Sequence, residues 1–158
     1  MKSAYILLLA GFALQLAACT NKTNSTTLVN NEAAIPGSFN FGKMGYKVIA
    51  SSINKKHGTM ATLYGNQIAL KTAIAGTGNI VDGEIFALVT WKQQPDDHWF
   101  GANIPGNLQS VEFVKTSLGG NNISYQKFDG KNMVLNTDTS NNQERIKYIF
   151  GQKPSIMP

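Results

Sequence analysis

The sequence predicts an α+β fold: an antiparallel β-sheet with two short helices. Three observations carry this. Short stretches rich in β-branched and aromatic residues recur along the chain, bounded by Gly, Asn or Asp. Helical spacing of apolar residues occurs at 67–76 and again at 141–151. The resulting order, strands, helix, strands, helix, suits strands that pair with their neighbours in sequence.

The first strand lies in GYKVIASSI at 45–53 and ends at the polar NKKHG. TMATLYG at 59–65 follows, so the two form a hairpin. Asn66 then stands where a helix cap belongs, ahead of QIALKTAIAG, in which Ile68, Ala69, Ala73 and Ile74 are near helical spacing. Gly76 supplies the residue that ends such a helix in a left-handed conformation, which is also the reading of AGTGN at 75–79. EIFALVTWKQ at 84–93 and QSVEFVKTSL at 109–118 have strand composition, joined by a proline-bounded, glycine-containing segment. Within that segment HWFGANIPG, 98–106, reads as a loop: Asp96 and Asp97 turn the chain after Pro95, and Trp99 and Phe100 bury against the sheet. NISYQKF and KNMVLNT flank the turn dipeptide Asp129-Gly130. NNQERIKYIFGQ closes the pattern as a helix, with Ile146 and Ile149 or Phe150 inward and Gly151 at its end.

The amino terminus carries a separate signal. Lys2, the apolar run AYILLLAGFALQLA and then Cys19 follow the order of a secretory signal, and the run is shorter than the roughly 20 residues a spanning helix needs. LAAC at 16–19 resembles the bacterial lipobox, which implies cleavage before Cys19 and acylation of its thiol. The competing reading is an ordinary secreted protein in which Cys19 is incidental. At about 0.8 kcal/mol per buried CH₂, two or three acyl chains tether a protein firmly without spanning the membrane. Thr20, in place of the Asp that retains enteric lipoproteins at the inner membrane, implies the outer membrane, facing the periplasm. The expected organisation is a signal peptide at 1–18, a lipidated Asn/Thr-rich tether at 19–34 and a folded domain at 35–158.

Composition narrows the chemistry. Cys19 is the only cysteine, so its acylation leaves no disulfide, thiolate metal ligand or catalytic thiol. The net charge of +5 is spread over single lysines apart from NKK at 54–56, the pattern of a solvated surface and not of a nucleic-acid partner.

Several of these elements in order, YKVIASSINKKHGTMATLYGNQIALKTAIAG and then GEIFALVTWKQ, resemble the cytochrome P460 domain over about residues 43–118. The matching features are Gly65 and Asn66, the helix at 67–75, Asp82 and Gly83, and Trp91. The resemblance implies a homodimer formed through sheets. In haem-carrying members it further implies a carboxyl-terminal CxxCH motif, in some a lysine cross-linked to haem, and activity on hydroxylamine or nitric oxide. Here the corresponding NNQERIKYIFGQKPSIMP contains neither cysteine nor histidine. Covalent haem is therefore not expected, and no cofactor, metal or catalytic residue is assigned.

The remaining candidates are few. His57 belongs to a hairpin turn beside Lys55 and Lys56, which leaves His98 as the better potential ligand. Asp96 and Asp97 stand too close to His98 in sequence to share one ion with it. Asp82 and Glu84 flank Gly83 in a turn and are expected to face water, and Met133 or Met157 packs before it would ligate haem. There is no GxSxG elbow. A pocket is expected at Trp91, His98, Trp99 and Phe100. The leading expectation is a non-enzymatic lipoprotein that binds a small apolar molecule or a protein partner. One alternative is an oxidoreductase with non-covalent haem on His98 acting on hydroxylamine or nitric oxide; another is a purely structural envelope protein.

Overall fold

Along the central strands, successive side chains pack into two different cores, so the sheet is covered on both faces. The computed structural model describes residues 30–117 and 122–154; the signal peptide, Cys19 and Met157 lie outside the described residues. The sheet has six strands in sequential antiparallel order: β1 Lys47–Asn54, β2 Thr59–Gly65, β3 Ile85–Pro95, β4 Asn103–Ser117, β5 Asn122–Asp129 and β6 Val134–Asn136. Helix α1, Gln67–Ala75, follows β2, and α2, Asn142–Phe150, follows β6. This is the α+β architecture the sequence predicts.

Period-two alternation sorts β3 between the two cores. Phe86 and Leu88 pack with Ile49, Leu63, Val114, Ala69 of α1 and Ile149 of α2. Ala87, Val89 and Trp91 pack with Val111, Phe113 and Phe41 on the other face. There the covering layer is the segment before β1. Phe41 stacks on Tyr64 at 4.8 Å, Phe39 lies 5.5 Å from Phe113, and the Trp91 indole N–H donates to the Ala33 carbonyl at 2.8 Å. Packing thus reaches back to Ala33, inside the stretch that the sequence assigns to the tether.

The β2–α1 corner forms as its residues dictate. Asn66 Oδ1 accepts from the Ala69 amide at 2.9 Å and from the Ile85 amide at 3.3 Å, while its Nδ2 donates to the Gly83 carbonyl at 2.7 Å. One side chain therefore caps α1 and ties it to the start of β3. Gly76 closes the helix with φ of 62°, the left-handed value expected of it. Gly65 is required by proximity, since a Cβ there would stand 2.5 Å from Ile49 Cδ1 and 3.0 Å from Ala69 Cβ.

One local expectation changes. The β3–β4 hairpin is longer than its composition suggests: pairing continues to Pro95 opposite Asn103, and the loop shrinks to 96–102. Its prolines do not break it, because the ladder is irregular between Thr90 and Gln93, where Pro105 pairs, and Pro95 is the last residue of its strand. Gly151 ends α2 as the sequence predicts, here with φ of −75° and its amide donating to the Lys147 carbonyl.

Replacing Asn66 with Ala removes the cap and both ties to β3, and is expected to cost about 2 kcal/mol in urea unfolding. Asn66→Asp, which keeps the acceptor but not the donor to Gly83, should lose about half of that.

Candidate functional site

The four residues expected to form a pocket do not converge. Trp91 is 7% exposed, held under Ala33, and borders a groove of about 460 Å³ with Ile53, Met60 and Pro105. His98, Trp99 and Phe100 stand at the far tip of the β3–β4 hairpin. Trp99 is 72% exposed and Phe100 fully so, which corrects the expectation that they bury against the sheet. The cause is the length of the hairpin, which carries the loop beyond the rest of the sheet. Asp96 does turn the chain, accepting from the His98 amide at 2.8 Å. His57 is exposed in the β1–β2 turn.

Instead, polar and apolar groups gather on the face covered by α1 and α2. Strand β4 is buried on both sides, so the residues between Val111, Phe113 and their neighbours point into the helix layer. Among them Glu112 is 2% exposed. A lone carboxylate at that depth is strongly disfavoured, and the protein supplies two partners. Arg145 of α2 donates from Nε to Oε2 at 2.8 Å and from Nη2 to Oε1 at 2.7 Å, a two-pronged pair. The Tyr125 hydroxyl of β5 donates to Oε2 at 2.7 Å. The hydrogen bonds to Glu112 hold the Arg145 guanidinium above its ordinary range, and burial, followed by the bond to Glu112, holds the Tyr125 phenol well above its usual value. Arg145 also lies over the Tyr148 ring at 4.9 Å. Ser110, Lys127, Asp138 and Asn142 complete the rim of a polar cleft of about 320 Å³. Its two carboxylates and two cations balance.

The second cleft, about 500 Å³, lies between the carboxyl-terminal ends of the two helices. Ala73, Ile74, Ile80, Phe86 and Phe150 give it apolar walls, and Asn79, Gln152 and Lys153 also line it. Glu84 borders it and is 1% exposed, which corrects the expectation that this residue faces water. Gly83, with φ of 78°, reverses the chain so that Glu84 enters the helix layer. There its carboxylate accepts from the Thr72 hydroxyl of α1 and from the Val81 amide at 3.1 Å. Its own amide donates to Thr116 Oγ1 at 2.9 Å. Asp82, one residue before the turn glycine, remains exposed.

The cytochrome P460 profile matches residues 43–143, which runs from just before β1 to the first turn of α2. The chain belongs to the cytochrome P460 family. No curated protein matches it. The six-stranded antiparallel sheet with its two helices is the fold expected of a P460 domain.

Haem, the group this family implies, finds no fitting ligand set among the described residues. They contain no cysteine, both histidines sit on exposed hairpin turns, and neither lines the two clefts beside the helices. Met133 packs instead against the core on the opposite face. No group of three or more His, Cys, Asp or Glu is placed to hold a metal ion among the described residues.

Two outcomes test this geometry. Because the Tyr125 phenol is raised above 10.0 in the folded state, the unfolded chain gives up that proton first. The folded protein then binds more protons, and stability falls as pH rises past about 10. Tyr125→Phe should remove part of that slope in unfolding titrations, Tyr46 and Tyr64, also raised by burial, keeping the remainder. His98→Ala, at an exposed tip, should change unfolding free energy by less than about 0.5 kcal/mol.

Proposed function

We propose that this P460-family protein is a non-enzymatic binding module without covalent haem, held in the cell envelope by acylated Cys19, and that it takes a small apolar molecule between α1 and α2. The observation that carries the reading is the cleft bounded by Ile74, Ile80, Phe86 and Phe150. Its volume lies within the usual range for small-molecule sites, and a wall of apolar side chains with few polar groups is their common composition. The carboxylate beside it, Glu84, is already satisfied by Thr72 and Val81, so an apolar guest need not strip that group of water. Ile74 is 67% exposed and Ile80 37%, apolar surface that a guest would cover.

The anchor rests on Lys2, the apolar run and LAAC at 16–19, and the outer-membrane location on Thr20 after the cysteine. Absence of covalent haem rests on Cys19 being the only cysteine and on the exposed positions of His57 and His98. A pair of such domains joined through their sheets is the assembly the family implies.

The test uses N-phenyl-1-naphthylamine, an apolar dye that brightens when taken out of water. The wild-type protein should bind it, and Ile74→Glu combined with Ile80→Glu should weaken binding by about tenfold or more while leaving the unfolding midpoint in place, both side chains being exposed. Equal dye binding by the double variant would remove the cleft from the account. Protein produced with haem supplied should show no Soret band, and the peptide beginning at Cys19 should carry acyl mass.

A further inference from the structure

In a sequential antiparallel sheet, alternate turns fall at the same end. The β1–β2 turn, carrying Lys55 and Lys56, therefore shares one end of this sheet with the β3–β4 tip, carrying Trp99 and Phe100. The two are adjacent in fact as well as in topology: the Gln93 amide of β3 donates to the Gly58 carbonyl of the β1–β2 turn at 2.8 Å. Lys92, opposite Thr59, adds a third exposed cation at this level.

The tip does not stop at that level. Strands β3 and β4 pair for three residues beyond Lys92, to Pro95 opposite Asn103, which at about 3.3 Å per residue carries the loop roughly 10 Å farther. The loop is built to hold its aromatics outward. The Asp96 amide donates to the Ala102 carbonyl and the Ala102 amide to the Trp99 carbonyl, both at 3.0 Å, and Gly101 at φ of 78° completes a tight turn. Phe100, next to that glycine, is fully exposed, and Trp99 is 72% exposed. Two large aromatics thus lead and three lysines follow.

We infer that this end of the sheet docks on a lipid bilayer, Trp99 and Phe100 entering the interfacial layer while Lys55, Lys56 and Lys92 meet anionic headgroups. The Trp99 indole, a ring with a polar handle, favours that layer and the Phe100 ring adds apolar contact, and interfacial elements sit about 5–10 Å deep, comparable to the length by which the tip overreaches Lys92. Charge fits the assignment. Lys131, at the next turn on this end, is engaged by Glu32 at 3.5 Å, but Lys55, Lys56 and Lys92 outnumber Asp96 and Asp97, and Asp96 is drawn toward His98 Nδ1 at 3.4 Å. Each lysine near an anionic surface strengthens partition about fivefold. The surface would set which face of the domain looks at the membrane, something a lipid on a tether alone does not fix.

This inference is separate from the Cys19 anchor, and one experiment reads them apart. The purified full chain is mixed with vesicles of phosphatidylcholine and phosphatidylglycerol in which part of the lipid carries bromine near the headgroup, a quencher of nearby indole. Flotation with the vesicles reports attachment by any route; quenching reports depth of the indole. Trp91, buried and bonded to Ala33, is the internal reference. Quenching and a blue shift are expected in the wild type and in Trp91→Phe, and should vanish in Trp99→Phe. Phe100→Ser should weaken insertion about tenfold, and Lys55→Glu with Lys56→Glu should do so in low salt only. Protein that floats while Trp99 stays unquenched overturns the inference and leaves the anchor standing. Cys19→Ala protein that still floats with added vesicles and still shows Trp99 quenching supports the inference without the anchor, and Cys19→Ala protein that neither floats nor is quenched overturns it. Quenching that persists in Trp99→Phe, or Trp99 shielded only by an added protein, also overturns it.

Discussion

Glu112 is the constraint on which the helix-covered face depends. It sits in a strand buried on both sides, and an ionised carboxylate at that depth cannot be left without partners. Arg145 satisfies it from α2 and Tyr125 from β5, so one carboxylate links the two neighbouring strands β4 and β5 to a helix 33 residues farther along. Arg145 is the only arginine in the chain, and its planar fork matches the carboxylate in a way that none of the lysines could. The register of α2 over the sheet follows from that pairing together with Ile149 packed beneath it. Five residues beyond Arg145 on the same helix, Phe150 forms a wall of the second cleft, so the charge pair and the cleft are parts of one arrangement.

Glu84 plays the corresponding role for α1. Its carboxylate takes the Thr72 hydroxyl and the Val81 amide, joining the middle of the helix to the chain that leads into β3. Asn66 completes the clamp from the other end of the helix. Glu112, Glu84 and Asn66 are thus internal braces, while the surface left to a guest is mainly apolar, with Asn79, Gln152 and Lys153 also lining it. The opposite face is closed by aromatics from the segment before β1 and offers its indole to a carbonyl of the chain itself. The sheet thus carries an aromatic cover on one face and a helix cover on the other, each bordered by a groove.

Much of this was legible from residue order. Strand pairing announced itself through period-two alternation and through turn glycines, and α1 through Asn66 and Gly76, because those signals act within a few residues of where they stand. The brace at Glu112 was not legible. In QSVEFVKTSL a glutamate between valine and phenylalanine reads as the solvent side of a half-buried strand, and only coverage of both faces turns it inward. The available hint was a single arginine in a lysine-rich chain. Glu84 misled for a related reason: a residue after Asp-Gly looks like turn surface until α1 is laid over it. The aromatic loop misled in the opposite sense. Trp99 and Phe100 carry core composition, but the extension of the hairpin through Pro95 and Pro105, set by long-range pairing, lifts them away from the core.

A double-mutant cycle on Glu112→Gln and Arg145→Met, followed by urea unfolding, addresses the brace directly. Arg145→Met alone strands a buried carboxylate and should cost about 2–3 kcal/mol, below the usual range for a fully buried pair because the guanidinium is partly exposed. With Glu112 neutralised as well, much of that loss should return, giving a coupling of about 1–2 kcal/mol. Strictly additive losses would mean that the two side chains do not support each other, and that α2 is held over the sheet by apolar packing alone.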